Sequence, residues 1–278
     1  MRRAGGERAR IGIDLGKRNI LGVLVNVIDH DAAVDRIIEA GHGRRSMRVA
    51  CLAVHALAIG ALDPTFRRRL NHFDIAVPDG QPVRRAMNAM YGTKLRAAVR
   101  AADLTERVVA RAAAEDLPIF FYGNRRGVLE QVATRLLAQH PPLRIAGNAP
   151  SKFRRGSRED ALDVARAIRE SGARITFVSL GCPRQECFVD ELADELHMPA
   201  VGVGVALDYL SGRLRPPPHS MCRLGLEWLW RLILEPRRLW RRYLLLNPLY
   251  LGLVALQGLG LWHPETVSEV SDVREVDL

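Results

Sequence analysis

Lysine is nearly missing from this chain. Of its 41 basic residues only Lys17, Lys94 and Lys152 are lysines, so positive charge is carried by arginine, whose rigid fork fits phosphate bidentately. A general arginine bias accounts for the scattered arginines better than for the clustered ones. Cysteine is sparse too: Cys51, Cys182, Cys187 and Cys222 are the whole set. Cys182 and Cys187 have no histidine close by, which argues against a zinc site; free thiols in a reducing cytosol are the natural reading. Met1 to Lys17 is charged and lacks the apolar core of a secretory signal. No P-loop pattern occurs, and Gly202-Val203-Gly204 lacks the third glycine of a dinucleotide fingerprint, so P-loop and dinucleotide enzymes are disfavoured. No internal repeat is visible and no nucleic-acid recognition motif is present. A spanning helix needs about twenty apolar residues; after Asn247 and Pro248, Leu249 to Trp262 offers fourteen.

What is present is a chain of 278 residues, 48% hydrophobic, enough for a sizeable core. Its net charge of +10 is unevenly placed. Between Arg213 and Arg242 eight arginines face only Glu227 and Glu235, which is +6 in thirty residues. Charge so localised favours a specific anionic surface or ligand.

Apolar strand-like runs alternate with amphipathic helical ones. Strands are expected at 20–27, 47–54, 74–77, 119–122, 143–146, 175–180 and 200–205. Helices are expected at 31–40, 64–70, 82–90, 103–114, 128–139, 158–171 and 185–196. This alternation implies an α/β fold, a Rossmann-like and mainly parallel sheet with helices on both faces. Ligands of such folds sit beyond the carboxyl ends of the strands. Three segments end strands in that way: Pro78-Asp79-Gly80, Gly123-Asn124 and Gly181-Cys182-Pro183-Arg184-Gln185-Glu186. The chain is read as lacking the Asp-x-Asp of the metal-dependent transferases, so neither a metal nor another cofactor is expected. Residues 1–19 read as a flexible basic N-terminus, 20–212 as the α/β core, 213–262 as a basic, amphipathic, helical and membrane-associating appendage, and 263–278 as a disordered acidic tail. A helix is expected from near His219, interrupted or restarted at Pro236. Asn247 and Pro248 are expected to break the run that follows, leaving an interfacial segment rather than a span.

Several stretches resemble the WecB/TagA/CpsF family of bacterial glycosyltransferases. They are Asp74-Ile-Ala-Val-Pro-Asp-Gly80, Gly181-Cys-Pro-Arg-Gln-Glu186, Gly202-Val-Gly-Val-Ala-Leu-Asp-Tyr-Leu-Ser-Gly212, and Gly225-Leu-Glu-Trp-Leu-Trp-Arg231 with Glu235-Pro-Arg-Arg238. Four motifs in the family's order and spacing carry the resemblance over residues 20–245. It implies inverting, metal-independent transfer of a hexosyl group from a UDP-sugar to a polyprenyl-diphosphate-linked saccharide, in exopolysaccharide or cell-surface polysaccharide synthesis. It also implies a cytoplasmic protein, peripheral on the inner face of the cell membrane, that can self-associate. The sugar is left open between glucosyl, N-acetylmannosaminyl and a related uronosyl group.

Asp79 is the expected general base, since an inverting transfer needs a carboxylate to take the acceptor hydroxyl proton; the alternative is an aspartate that caps the following helix. Gly80 gives substrate room to approach. Gly181, Arg184, Gln185 and Glu186 form a strand-to-helix turn suited to a phosphate or polar sugar, or merely open a helix. Arg100 matches an arginine before the family's Gly-x-Asp-Leu, here Ala101-Ala102-Asp103-Leu104. The family's Thr-x-Asn falls on Cys51 and Ala53, with His55 as a substitute donor or a structural histidine. Asp208 reads as pocket-lining or structural. Arg231, Arg238 and Arg241 align with arginines proposed to hold the acceptor's diphosphate, and they share one helical face if the helix continues past Pro236. Trp228, Trp230 and Trp240 suit a headgroup boundary or the core. The alternative to an enzyme is a degenerate, membrane-docked nucleotide-sugar-binding protein, motivated by Cys51, Ala53 and Ala101.

Overall fold

The computed structural model describes residues 12–151 and 158–266. Most of the basic terminus and most of the acidic tail lie outside the described residues. An antiparallel hairpin comes first, β1 (Asp14–Ile20) and β2 (Val23–Ile28). The sequence reading made one strand of it and left residues 14–19 in a flexible arm. Leu21 and Gly22 both have positive φ, 57° and 86°, which matches the twist of a tight hairpin. An apolar leucine at the turn hides that signal.

The chain then runs α1 (His30–His42), β3 (Met47–Leu52), α2 (Val54–Leu62), α3 (Pro64–Asn71), β4 (Ile75–Pro78), α4 (Gln81–Tyr91) and α5 (Ala101–Ala114). It continues with β5 (Ile119–Gly123), α6 (Arg126–Gln139), β6 (Ile145–Ala149), α7 (Arg158–Glu170), β7 (Ile175–Ser179), α8 (Arg184–Leu196), β8 (Pro199–Gly202) and α9 (Ala206–Leu210). Six strands form one parallel sheet in the order β4-β3-β8-β7-β5-β6. The expected α/β class is what the structure has.

Side chains alternate across this sheet, as the strand period of two requires. Val49, Ile75, Val77, Phe121, Phe177 and Val201 face a core shared with α1, α5 and α6. Leu52, Ala76, Phe120, Tyr122, Val178 and Ala200 face a second core with the hairpin, α2, α8 and Tyr250. Both faces are buried, so the strands read as continuous apolar runs. The hairpin guards the β4 edge, where the buried Asn26 accepts the Ala76 N–H at 2.8 Å.

Three further helices follow: α10 (His219–Leu224), α11 (Glu227–Leu234) and α12 (Pro236–Gly258). Pro236 sits in the first turn of α12, where a missing N–H costs nothing. The expected break at Asn247 and Pro248 is absent; α12 runs through Pro248. Packing compensates for the bond a proline removes: Tyr250 is buried against the second core, with Leu253 and Val254 beside it. The end of the chain is clasped to the hairpin. Gln257 accepts the Leu21 N–H at 2.9 Å and donates to the Asn19 carbonyl at 2.9 Å. Asn19 donates to the Pro264 carbonyl at 3.0 Å, so residues 263–266 do not belong to a free tail. Among the described residues no helix is long and apolar enough to cross a membrane.

Candidate active site

The ends of β4, β8 and β7 and the start of α5 surround the candidate site. Leu52 O accepts the Asp79 N–H at 3.1 Å, and Pro78 O accepts the Val99 N–H at 3.1 Å. The first ties the end of β4 to the end of β3, and the second holds it against the residues just before α5. Gly80 has φ 86° and is itself the N-cap of α4, with no side-chain cap bond. Asp79 therefore does not cap that helix. Its carboxyl faces Arg100 and the Ala101 N–H instead.

Burial pushes the Asp79 carboxyl up to about 7, helped by the Glu227 and Asp103 carboxylates and opposed by Arg100 and the Ala101 N–H. Such a group is poised between neutral and charged at physiological pH, the property a general base needs. Arg100 is held by two carboxylates: Nε donates to Glu227 at 3.2 Å and Nη1 to Asp103 at 3.4 Å. Burial also raises Glu227, offset chiefly by Arg100. Its Oε1 is buried with no partner. Glu227 belongs to α11, so the C-terminal helices complete the surroundings of Asp79. Sequence reading weighed Glu227 only as a counter-charge and as a letter in a motif.

Across the sheet, Gly181 takes φ 76° and its carbonyl accepts the Gln185 N–H at 3.0 Å. Arg184 is exposed and folds back on the Leu180 carbonyl at 2.9 Å. Gln185 and Glu186 turn inward and are 4% and 2% exposed. Gln185 Nε2 donates to Glu186 Oε1 at 2.9 Å, while Gln185 Oε1 and Glu186 Oε2 have no partner. The amide lies over the end of β8, where a Cβ on Gly202 would meet it at 3.4 Å. Burial raises the Glu186 carboxyl, and a hydrogen bond from Gln185 opposes this. Cys51 links the two halves: its buried thiol is pushed up by desolvation, then by Asp79 and Glu186.

His55 stands in the first turn of α2, with Nδ1 buried and unpartnered. Burial and the nearby Arg242 hold its pKa down to about 3, so it is neutral. Asp208 is bound to Arg213 at 2.6 Å and its carbonyl accepts the Leu214 N–H at 3.0 Å; it fixes the exit from α9. Arg231 and Arg238 both bind Glu235, at 3.0 and 2.5 Å. Arg241 does not join them. It is exposed and lies over Trp240, 5.1 Å from the ring centre. The inward arginine is its neighbour Arg242, which sequence reading passed over. Trp230 donates to the Arg215 carbonyl at 3.0 Å, Trp228 packs on Tyr243, and Trp240 is exposed.

The sequence does contain one Asp-x-Asp, Asp29-His30-Asp31. Asp29 caps α1, accepting the Ala32 N–H at 2.9 Å, and Asp31 pairs with Arg107 at 2.9 Å. Among the described residues no three His, Cys, Asp or Glu side chains group as metal ligands.

A parallel α/β sheet with a perturbed carboxyl beside Arg100 at a strand end suits an enzyme site. A profile of the glycosyl transferase WecG/TagA/CpsF family matches residues 18–264. The chain belongs to that family and is a glycosyltransferase.

Proposed function

We propose that this protein transfers a hexosyl group, with inversion and without a metal, from a UDP-sugar to a polyprenyl-diphosphate-linked saccharide. The supporting observation is the Asp79 carboxyl, raised to about 7 beside Arg100 at the end of a parallel strand. In this reading Asp79 removes the proton from the acceptor hydroxyl as its oxygen attacks the anomeric carbon. The bond to UDP breaks on the opposite face, and UDP leaves as an anion. Gln185 and Glu186 line the donor side. Arg231 and Arg238, sharing one carboxylate, keep an excess of positive charge for the acceptor's diphosphate.

The outer side of α12 supports docking on the inner face of the cell membrane. Arg237, Arg238 and Arg241 are exposed at its start, and Leu244, Leu245, Leu251, Leu256 and Leu259 along its length. A cationic end that continues into an apolar stripe fits an anionic headgroup layer. The test is a transfer assay in detergent with lipid-linked saccharides and a panel of UDP-sugars, EDTA included, alongside flotation on vesicles with and without phosphatidylglycerol. Product with one donor and salt-sensitive flotation on the anionic vesicles are expected. Tight acceptor binding with no product from any donor would replace the enzyme reading by a docked binding protein.

A further inference from the structure

Where α2, α8 and α12 approach one another, four buried side-chain atoms have no partner: His55 Nδ1, Gln185 Oε1, Glu186 Oε2 and Arg242 Nε. Buried polar groups are almost always bonded, so four open atoms from three helices mark a place built for something else. Gln185 and Glu186 are only 4% and 2% exposed. Arg242 is the common neighbour: its charge acts on His55, on Cys182 and on Glu186. Arg231 and Arg238 have Glu235, whereas Arg242 forms no ion pair among the described residues. Its guanidinium is half-buried and lies over Tyr243, 6.0 Å from the ring centre, with no anion beside it. Glu186, the buried carboxyl that feels it, does not close on it and is itself driven toward the neutral form by burial. Arg242 Nε and Glu186 Oε2 each remain without a hydrogen bond.

We propose that Arg242, with His55, Gln185 and Glu186, forms an oxyanion-binding subsite of the donor pocket, which takes either the carboxylate of an acidic sugar or the phosphate next to the sugar. This rests on the reading of the core as a nucleotide-sugar site. The guanidinium offers parallel N–H donors to two oxygens. Gln185 Oε1 and Glu186 Oε2, both without partners, accept from sugar hydroxyls. His55 stays neutral and so adds a hydrogen bond without a competing charge. The anion of the donor thus goes to Arg242, and Arg231 and Arg238 remain for the acceptor.

The test is calorimetric titration of the full chain with UDP, UDP-glucose and UDP-glucuronate, comparing wild type with R242Q and R242K and checking each fold by thermal melting. Loss of a charge-assisted pair predicts roughly ten- to hundredfold weaker binding in R242Q, with partial recovery in R242K. An equal loss for all three ligands identifies the phosphate. A loss confined to UDP-glucuronate identifies the carboxylate. Unchanged affinity for all three in R242Q overturns the subsite and leaves the donor reading standing. Wild-type protein that binds none of them overturns the donor reading and the subsite with it. Should R242Q not fold, R242K decides: a several-fold loss supports the subsite, and none refutes it.

Discussion

Replacing Asp79 by asparagine is expected to make the protein more stable and nearly inactive at once. The carboxyl rises from 3.8 to about 7. Both folded and unfolded chains are neutral at this group below pH 3.8. As the pH climbs, the unfolded chain ionises first, so folding loses stability until the folded group ionises too, near 7. About three units at 1.36 kcal/mol each is roughly 4 kcal/mol, an upper figure for the cost above pH 7. The asparagine amide would keep an acceptor for the Ala101 N–H and shed that cost. The same substitution removes the base, and loss of a general base costs about 10²–10⁴ in rate. In the wild type kcat/KM should climb through pH 7, with about a tenth of the full rate at pH 6. Thermal melting between pH 4 and 8 and a pH–rate profile together test this. A flat wild-type profile from pH 5.5 to 8, or an Asp79→Asn enzyme within tenfold of wild type, would refute the reasoning. So would an Asp79→Asn protein no more stable than wild type at pH 8.

Glu227→Gln removes the main carboxylate acting on Asp79 and releases Arg100 toward it, so the limb of the pH–rate profile should move down by roughly half to one unit. A limb that stays put would show that Glu227 does not act on Asp79. The Tyr250 hydroxyl is buried with no partner; Tyr250→Phe should raise stability by about 1 kcal/mol in denaturant melts. Gly123 has φ 97°, and a Cβ there would meet Ser179 O at 2.5 Å. Gly123→Ala should cost more than about 2 kcal/mol by the same measurement; a neutral change would mean that this strand end relaxes freely.

The parallel sheet was legible because strands buried on both faces leave continuous apolar runs, bounded here by Pro78, Gly123 and Gly181. Asp79 and Gln185 drew attention as candidates because they stand at strand ends, where such folds bind, and within motifs that resemble the family's. What escaped reading did so for physical reasons. Val54–Leu62 is apolar on most sides and shows no helical periodicity, so α2 has no counterpart among the expected elements. Leu21 carries no turn chemistry, so the hairpin looked like one strand. Arg241 is singled out by its match to the family's arginines, whereas the inward turn of Arg242 depends on a helical phase, about 100° per residue, that the restart at Pro236 and the burial of Tyr250 set. Glu227 gains its meaning from Arg100, 127 residues earlier, and no local pattern announces such a pair.

That pairing has a consequence for the order in which the protein comes to life. Every strand from β1 to β8 leaves the ribosome before Glu227 does, and the clasp between Asn19 and Gln257 closes later still. A nascent core can assemble its sheet and its loops, yet Asp79 then lacks the Glu227 carboxylate that helps burial to raise its pKa. The surroundings of Asp79 are therefore completed late in synthesis, by the final helices.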